Sequence, residues 1–349
     1  MIRVLVADDS ATARFLLRAV LEAEGDIRVI AEAHDGAEAI DSVERDKPDL
    51  VIMDVHMPII DGLEATKQIM IRAPTPIIIV SAVTRRDVDL SLSATQAGAL
   101  LALPKPENVG GARFEERAAE LRGMVRAMAN VKVVRHWSSH VSARVEPSPP
   151  RRRRASAPPE LIAIAASTGG PPALRRILMD LPRTLPVPIV LVQHIARDFT
   201  AGFAEWLAAS CALPVKLAED GERLLKGVVY VAPDDAHLGV SRGCRAALSY
   251  DPPIGGFRPS ATHLFKTAGT ALGPRLLAVI LTGMGSDGAP GLQVAREAGA
   301  YVIAQNEATS VVYGMAAEAV RRGAVDVELP MELIADRLIQ LVSGGSGGG

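Results

Sequence analysis

Short apolar segments alternate with amphipathic stretches along most of this 349-residue chain, and the alternation limits the folds that it can adopt. In the first part of the chain, five segments have the length and aliphatic content of buried strands. They are, in chain order, Ile2–Ala7, Val29–Ala33, Leu50–Met53, Ile77–Ser81 and the weaker Leu100–Leu103. Strands that alternate with helices form parallel sheets with right-handed crossovers. The pattern therefore predicts a doubly wound α/β fold, which binds its ligands at the carboxyl ends of the strands.

The alternation breaks in the middle of the chain and then resumes. The break contains Glu146-Pro-Ser-Pro-Pro150 and four arginines at positions 151–154, which are typical of an extended linker. The arginines alternatively bind an acidic partner or nucleic acid, but no aromatic residues are interleaved for stacking, so we favour a solvated linker. We predict a first domain, a linker, a second α/β domain with a mostly parallel sheet, and a disordered Gly-rich tail: residues 1–125, 126–159, 160–343 and 344–349.

Charge and cysteine content exclude several classes of protein. The net charge is −2, with 38 basic and 40 acidic residues, so no global field attracts nucleic acid or membrane. The two cysteines cannot form a disulfide framework. The N-terminus runs directly into a strand without a signal peptide, and no apolar run is long enough to span a bilayer. We expect a cytoplasmic protein that neither binds nucleic acid nor inserts into the membrane.

Carboxylates follow two of the predicted strands in the first domain. Asp8 and Asp9 come directly after the first strand, and Asp54 comes after the third. Three carboxylates at one edge of a sheet repel each other unless a cation joins them, and oxygen ligands favour Mg²⁺. The alternative is that Asp8 or Asp9 merely caps the helix that begins near Ala11.

Two further polar residues follow the next strands. Ser81 ends the fourth strand and can donate a hydrogen bond to a phosphoryl oxygen, while Lys105 follows the fifth strand and supplies a positive charge. Each residue alone is more simply explained as structural. Because all of these positions follow successive strands, we predict that Asp54 accepts a phosphoryl group.

These segments resemble the receiver domain of response regulators. The resemblance covers about residues 1–120 and rests on the motifs around the aspartates, on Ser81-Ala-Val-Thr84 and on Lys105-Pro106. It implies a flavodoxin-like fold in which a histidine kinase phosphorylates Asp54. It also implies that Asp8, Asp9 and Asp54 bind Mg²⁺ together with the main-chain oxygen of His56. Receivers usually carry Tyr or Phe three residues before the lysine, where this chain has Ala102.

The second domain opens with a strand that ends at Ser167, followed by a glycine turn and a helix with an early proline. Free N–H groups at such a helix start hold an anion, either a phosphate or the oxyanion of an acyl-transfer intermediate. The segment has neither the Gly-Lys-Ser/Thr of a phosphate loop nor a Gly-x-Ser-x-Gly elbow. On this segment alone, nucleotide binding and hydrolysis remain equally open.

A histidine and an aspartate from two other strands favour hydrolysis. His194 follows the strand Ile189–Gln193, and Asp287 follows a strand predicted at Ala278–Thr282. A hydroxyl, an imidazole and a carboxylate at one sheet edge predict a triad, in which Ser167 attacks and His194 removes its proton. The amide of Met284 is then a candidate oxyanion donor. Separately, each member of the triad has a structural explanation as a cap, a turn residue or a hydrogen-bonded histidine.

Other histidines compete for a role at the second site. His237 and His263 are alternative candidates, and Asp234 and Asp235 precede His237 closely enough to suggest a metal. The spacing is not diagnostic of a metal site, and no partner cluster is evident. We therefore predict no metal or cofactor there.

The second domain resembles the catalytic domain of chemotaxis protein-glutamate methylesterases (CheB). The resemblance spans about residues 160–342 and rests on six short motifs. They are Ala166-Ser-Thr-Gly-Gly-Pro171, Gln193-His194, Val231-Ala-Pro233, Phe257-Arg-Pro-Ser260, Thr282-Gly-Met-Gly-Ser-Asp-Gly288 and Ala304-Gln-Asn-Glu-Ala-Thr-Ser-Val-Val-Tyr-Gly-Met315. The resemblance implies Ser167 as nucleophile, His194 as base and Asp287 as its orienting acid, with Thr168 and Met284 lining the site. Members often carry His, Asp and Pro where this chain has Phe257, His263 and Ala316.

The resemblance also implies a substrate, partners and a regulatory mode. The substrate is the γ-glutamyl methyl ester of methyl-accepting chemotaxis receptors, and receptor glutamine is deamidated as well. A histidine kinase of the chemotaxis type would phosphorylate the receiver, which would then expose the catalytic site. Two alternatives remain: a receiver-gated regulator without esterase activity, and the same hydrolase acting on a protein outside chemotaxis.

Overall fold

The computed structural model describes residues 1–82, 84–106, 111–131 and 157–344. The chain divides into two compact units, Met1–Ser142 and Ala143–Gly349. Most of the predicted linker, including the arginines at 151–154, and the tail from residue 345 lie outside the described residues. The predicted α/β class of both units is confirmed, whereas the predicted domain boundaries stay predictions.

The first unit is a parallel sheet with strand order β2-β1-β3-β4-β5. Helices α1 and α5 pack together, while α2, α3 and α4 follow one another in contact, as in a doubly wound flavodoxin-like fold. Its strands are Ile2–Ala7, Ile27–Ala33, Leu50–Met53, Ile77–Ser81 and Leu101–Pro104 (β1–β5), and its helices are Ala11–Glu22, Gly36–Asp46, Gly62–Arg72, Arg85–Gln96 and Ala112–Met128 (α1–α5).

The second unit contains a larger parallel sheet, whose strand order is β14-β13-β12-β6-β7-β9-β8. An antiparallel hairpin, β10–β11, lies outside this sheet. The strands are Leu161–Ala166, Ile189–Gln193, Val215–Leu217, Val229–Val231, His237–Ser241, Arg245–Ser249, Leu276–Ile280, Tyr301–Gln305 and Val327–Leu329 (β6–β14). The helices are Gly170–Asp180, Thr200–Ser210, Ala261–Leu272, Ala289–Glu297, Met315–Arg321 and Met331–Val342 (α6–α11).

Aliphatic side chains form the core of the second unit. Every residue of β6, β7 and β12 is buried, because helices cover both faces of the sheet. Aromatic residues make up only 3% of the chain, so Ala, Val, Ile and Leu fill most of this layer. The close packing holds the carboxyl ends of the central strands in a fixed arrangement.

The structure differs from the sequence-based expectation at the end of β12. The strand was expected at Ala278–Thr282 but lies at Leu276–Ile280. Thr282 leaves the ladder because its N–H donates to the side chain of Gln305 at 2.8 Å, while its carbonyl accepts from the N–H of Ser167 at 3.0 Å. The residue after the strand therefore connects the sheet to the second site.

Candidate functional site

The acidic cluster of the first unit lies at the carboxyl edge of its sheet. Lys105 Nζ lies 2.8 Å from Asp54 Oδ2 and 2.7 Å from Asp8 Oδ2. Asp8 and Asp54 are buried, whereas Asp9 is exposed. Burial raises the pKa of Asp54 above its ordinary value, and the hydrogen bond and charge of Lys105 offset this only in part. The cluster therefore has more carboxylate charge than its one lysine balances.

The donor set of this cluster fits a hard divalent cation. One carboxylate oxygen each from Asp8, Asp9 and Asp54 lie within 4.8 Å of one another. Oxygen-only ligands and an uncompensated negative charge are what Mg²⁺ requires, and it keeps water or phosphate oxygens as its remaining ligands. The main-chain oxygen of His56 stays a predicted ligand. The His56 side chain points elsewhere, since its Nε2 lies 2.5 Å from Asp87 Oδ1.

Two features of this edge favour a ligand site over a purely structural role. Ser10, not Asp8 or Asp9, caps α1, so the alternative that these aspartates cap the helix is wrong. Ser81 is fully buried, and its Oγ has no hydrogen-bond partner within the part of the chain that the structure describes. An unpaired buried hydroxyl is costly unless a ligand completes it.

Position 102 lies inside the sheet rather than on its surface. Ala102 is buried in β5, where it pairs with Ile79 of the neighbouring strand β4. Its methyl group cannot rotate between an inward and an outward position as an aromatic ring can. A signalling step that depends on such a rotation therefore has no side chain to carry it at this position.

The second site lies at the carboxyl edge of the larger sheet, where β6 and β7 run side by side. Ala166 pairs with Gln193 in register, so the residues that follow them, Ser167 and His194, are neighbours across the strands. The N–H of His194 donates to the carbonyl of Ala166 at 3.0 Å, and Gln193 Nε2 donates to the carbonyl of Ser167 at 2.9 Å. Parallel pairing thus places the hydroxyl and the imidazole on adjacent strand ends.

Asp287 orients His194 through the Nε2 atom of the imidazole. His194 Nε2 lies 2.9 Å from Asp287 Oδ2, and both side chains are buried. His194 Nδ1 is buried without a hydrogen-bond partner among the described residues. Since the carboxylate accepts a proton on Nε2, Nδ1 is the nitrogen left free to act as a base. The described contacts include no Ser167–His194 hydrogen bond, which in ligand-free enzymes often forms only with substrate.

Asp287 is the most strongly bound carboxylate of the second site. Its Oδ1 accepts from Ser260 Oγ at 2.8 Å and from the N–H of Thr262 at 3.0 Å, and its Oδ2 accepts from the N–H of Ala261 at 2.7 Å. Burial disfavours the charged form, but the hydrogen bonds of His194, Thr262 and Ser260 outweigh burial and hold the pKa of Asp287 well below its ordinary value. Asp287 is therefore a carboxylate at neutral pH, and it also pairs the first free amides of α8.

Close backbone approach shapes the turn behind Ser167. A Cβ added to Gly283 would lie 2.7 Å from Ser167 Cβ, and one added to Gly169, whose φ is +74°, would lie 2.6 Å from Val311. Ser167 does not cap α6, whose N-cap is Gly169, so that alternative is wrong. Thr168 is buried beside the turn, and Met284 is about one-third exposed. Gly283 thus lets the turn after β12 approach Ser167, and Gly169 lets the turn after β6 approach Val311 in the segment after β13.

Thr282 ties these turns together. Its Oγ1 donates to the carbonyl of Thr168 at 2.9 Å and accepts from the N–H of Val312 at 3.0 Å. We expect Thr282→Val to lower the free energy of unfolding of the second unit by about 1–3 kcal/mol, because the isosteric methyl leaves a buried carbonyl and amide unpaired. The measurement is urea unfolding followed by Trp206 fluorescence in a Trp137→Phe background. The control is Thr270→Val, an exposed threonine of α8 whose loss should cost less; equal losses would contradict the role given to Thr282.

Three residues at and before the start of α8 are site residues that the sequence does not predict. Phe257 stacks on His194 with ring centroids 4.0 Å apart and an interplanar angle of 9°. Ser260 and Thr262 bind Asp287. The segment has neither strand nor helix periodicity before Ala261, so pattern analysis does not reveal it. The Phe257-Arg-Pro-Ser260 motif was the available signal.

His237 and His263 lie behind the site. The rings of His237 and His263 stack with centroids 4.9 Å apart. His237 Nδ1 accepts from the N–H of Ser260 at 3.1 Å, and its Nε2 donates to the carbonyl of Pro252 at 3.2 Å. Both nitrogens of His237 are thus occupied by the main chain. His237 therefore holds Ser260, which binds Asp287, and neither of its ring nitrogens is available for a reaction.

Comparison with known proteins adds independent information on both units. The family model described as CheB methylesterase matches residues 162–338, and the model described as response regulator receiver domain matches residues 4–111. A relative from Myxococcus xanthus, named protein-glutamate methylesterase/protein-glutamine glutaminase 4, is 46% identical over 347 residues, which cover 99% of this chain and 98% of the relative. A relative of the same name, numbered 3, from Anaeromyxobacter dehalogenans is 47% identical over 339 residues, covering 97% of this chain and 98% of the relative.

A solved structure resembles the second unit. The crystal structure of the Thermotoga maritima CheB methylesterase catalytic domain is 38% identical to this chain, with a TM-score of 0.51. The similarity covers 53% of this chain and 100% of that structure. The likeness therefore extends over the unit that contains Ser167, His194 and Asp287.

Proposed function

This chain belongs to the CheB methylesterase family and carries a response regulator receiver domain, and on that basis we propose that Ser167, His194 and Asp287 are its catalytic triad. The chain is a protein-glutamate methylesterase and glutaminase that phosphorylation regulates. The observation that carries the residue assignment is the 2.9 Å contact between His194 and Asp287, on the strand end next to Ser167. We assign residues 160–343 to the catalytic domain and 1–125 to the receiver.

The acylation step follows from the geometry of the second site. Ser167 Oγ attacks the ester carbonyl of a methylated glutamate while His194 Nδ1 takes the hydroxyl proton, and Asp287 stabilises the imidazolium through Nε2. The negative charge on the former carbonyl oxygen is held by amides of the turns after β6 and β12, with Met284 N–H as the proposed donor and Thr168 lining the site. Collapse of the intermediate breaks the C–O bond, and methanol leaves with the proton from His194.

Deacylation returns the enzyme to its starting state. His194 removes a proton from water, the hydroxide attacks the acyl-serine, and the serine oxygen leaves with that proton. The product is the glutamate carboxylate. A receptor glutamine follows the same path and releases ammonia in place of methanol. Buried Asp287, which stays ionised at neutral pH, orients the imidazole in both steps.

The receiver domain regulates the catalytic domain through phosphorylation. We assign Asp54 as the phosphoryl acceptor, with Lys105 and Ser81 placed to bind the phosphoryl oxygens and Asp8 and Asp9 as Mg²⁺ ligands. Mg²⁺, when bound, offsets charge on the phosphoryl group during transfer. The unpaired buried hydroxyl of Ser81 and the contacts of Lys105 with Asp8 and Asp54 support this assignment. The catalytic site needs no metal in this mechanism.

Replacing Asp54 tests whether phosphorylation of the receiver regulates the catalytic site. We expect Asp54→Asn to abolish phosphoryl uptake from acetyl phosphate, because an amide oxygen is too weak a nucleophile. The stimulation of methanol release by acetyl phosphate and Mg²⁺ should disappear with it. Mass spectrometry of the intact chain and methanol release from methylated chemoreceptors measure the two effects.

A matched control separates the acceptor from other aspartates. Asp61 is an exposed N-cap, and asparagine caps helices equally well, so Asp61→Asn should keep both uptake and stimulation. Phosphoryl uptake by Asp54→Asn at the wild-type level would reject the assignment.

Partners and location complete the proposal. The phosphodonor is a histidine kinase of the chemotaxis type, and the substrates are methyl-accepting chemotaxis receptors, on their cytoplasmic side. Within the described ranges, no helix is both long and apolar enough to cross a bilayer. The names of the relatives do not favour a receiver-gated regulator without esterase activity or a hydrolase outside chemotaxis.

A further inference from the structure

The triad histidine of the proposed function is held on two sides by one short segment, residues 254–262. Its first part places the Phe257 ring flat against the imidazole of His194, with centroids 4.0 Å apart and planes 9° from parallel. Its last part, Ser260–Thr262, makes three hydrogen bonds to Asp287, which in turn binds His194 Nε2. The segment thus contacts both His194 and its carboxylate partner.

The segment is itself well anchored. Ile254 and Phe257 pair through two main-chain hydrogen bonds of 3.1 Å, closed by two glycines with positive φ. Arg258 donates to the carbonyls of Tyr250 and Asp251 at 3.3 and 3.4 Å. The N–H of the fully buried Ser260 donates a hydrogen bond to His237 Nδ1. Hydrogen bonds therefore hold the backbone on both sides of Phe257.

The stacked Phe257 ring restricts a rotation of the His194 imidazole that the hydrogen bond to Asp287 alone does not prevent. The imidazole turns about its Cβ–Cγ bond, and Nε2 lies nearer to that axis than Nδ1 does. Asp287 can therefore hold Nε2 while Nδ1 still swings away from Ser167. A ring stacked face to face blocks this rotation, because turning the imidazole drives its edge into the aromatic plane.

We propose that Phe257 is a positioning residue, which fixes the plane of His194 so that Nδ1 faces Ser167 and which stabilises the imidazolium against its π face. This inference rests on the proposed triad. The proposed role requires the flat aromatic ring of residue 257 and not only the volume of its side chain. Leucine at position 257 would fill similar space without a plane, whereas tyrosine would keep the plane.

The test compares Phe257→Leu with Phe257→Tyr in the full chain. Methanol release from methylated chemoreceptors is measured with saturating acetyl phosphate and Mg²⁺. We expect kcat to fall about tenfold in Phe257→Leu with KM nearly unchanged, and kcat of Phe257→Tyr to stay near the wild type. A wild-type kcat in Phe257→Leu, or equal losses in both variants, would overturn the proposal.

A second readout does not depend on catalysis. The rate at which diethyl pyrocarbonate modifies His194, followed by peptide mass spectrometry, should rise several-fold in Phe257→Leu and stay unchanged in Phe257→Tyr. Equal modification rates in all three proteins would reject the stacking role even if none of them releases methanol. Loss of methanol release in the wild type together with a faster rate in Phe257→Leu would instead reject the proposed function and retain the positioning role.

Discussion

Ser167→Ala is expected to lower methanol release from methylated chemoreceptors by about 10⁴-fold or more, because the proposed acyl-enzyme cannot form without a hydroxyl. The neighbouring groups change little. The N–H of Ser167 still donates to Thr282, and its carbonyl still accepts from Gln193. Substrate binding should therefore persist while turnover is lost. Measuring kcat and KM separately, with acetyl phosphate present, distinguishes these effects.

Two controls accompany this variant. Ser241→Ala removes an exposed serine of the same unit and should leave kcat unchanged. Phosphoryl uptake at Asp54 should also persist in Ser167→Ala, since the receiver chemistry uses none of the catalytic residues. Full methanol release by Ser167→Ala would show that another group is the nucleophile and would end the triad assignment.

Asp287→Asn should have the second-largest effect, with kcat reduced by roughly 10³–10⁴-fold. An asparagine can turn its NH₂ group toward His194 Nε2 and donate to it. The imidazole proton then moves to Nδ1, the nitrogen that must accept the proton of Ser167. The carbonyl oxygen, at the position of Oδ1, still accepts from the N–H of Thr262 and from Ser260 Oγ, whereas the N–H of Ala261 loses its acceptor. The variant should therefore fold, with a weaker start of α8.

The Asp287 variant also changes how stability depends on pH. The folded-state pKa of Asp287 lies below its ordinary value of 3.8. The carboxylate therefore stabilises the fold above that value, and the contribution is lost as pH falls through the folded-state pKa. In Asp287→Asn, this part of the acid dependence of unfolding should be missing. A kcat within tenfold of the wild type, or an unchanged acid dependence, would contradict the role of this carboxylate.

The parts of both sites that lie at strand ends could be predicted from the sequence. Parallel strands in register bring the residues that follow them together, which is why Ser167 and His194 are neighbours and why Asp8 and Asp54 share a lysine. Hydrophobic periodicity identifies such strands without knowledge of their order. The α/β class of both units follows from the same signal.

The segment of residues 254–262 that contacts His194 and Asp287 could not be predicted in this way. Phe257 and Ser260 lie in a loop, where no periodicity indicates which side chain points inward. Their positions depend on tertiary contacts, such as the hydrogen bond between Ser260 and His237. The predicted end of β12 is wrong for a related reason. The N–H of Thr282 donates its hydrogen bond to the side chain of Gln305, whereas a longer strand would have used this N–H in the sheet.

Phe257 belongs to a loop, whereas Ser167, the proposed nucleophile, follows a strand of the sheet, and this separation bears on how such an enzyme can evolve. We expect changes within residues 254–259 to alter the orientation of His194 without disturbing the buried strand β6, which Ser167 follows. On the proposed role of Phe257, substitutions there should change turnover while the attacking group and the fold stay constant. A cell that needs faster or slower adaptation has, in this loop, a place to tune it by single substitutions.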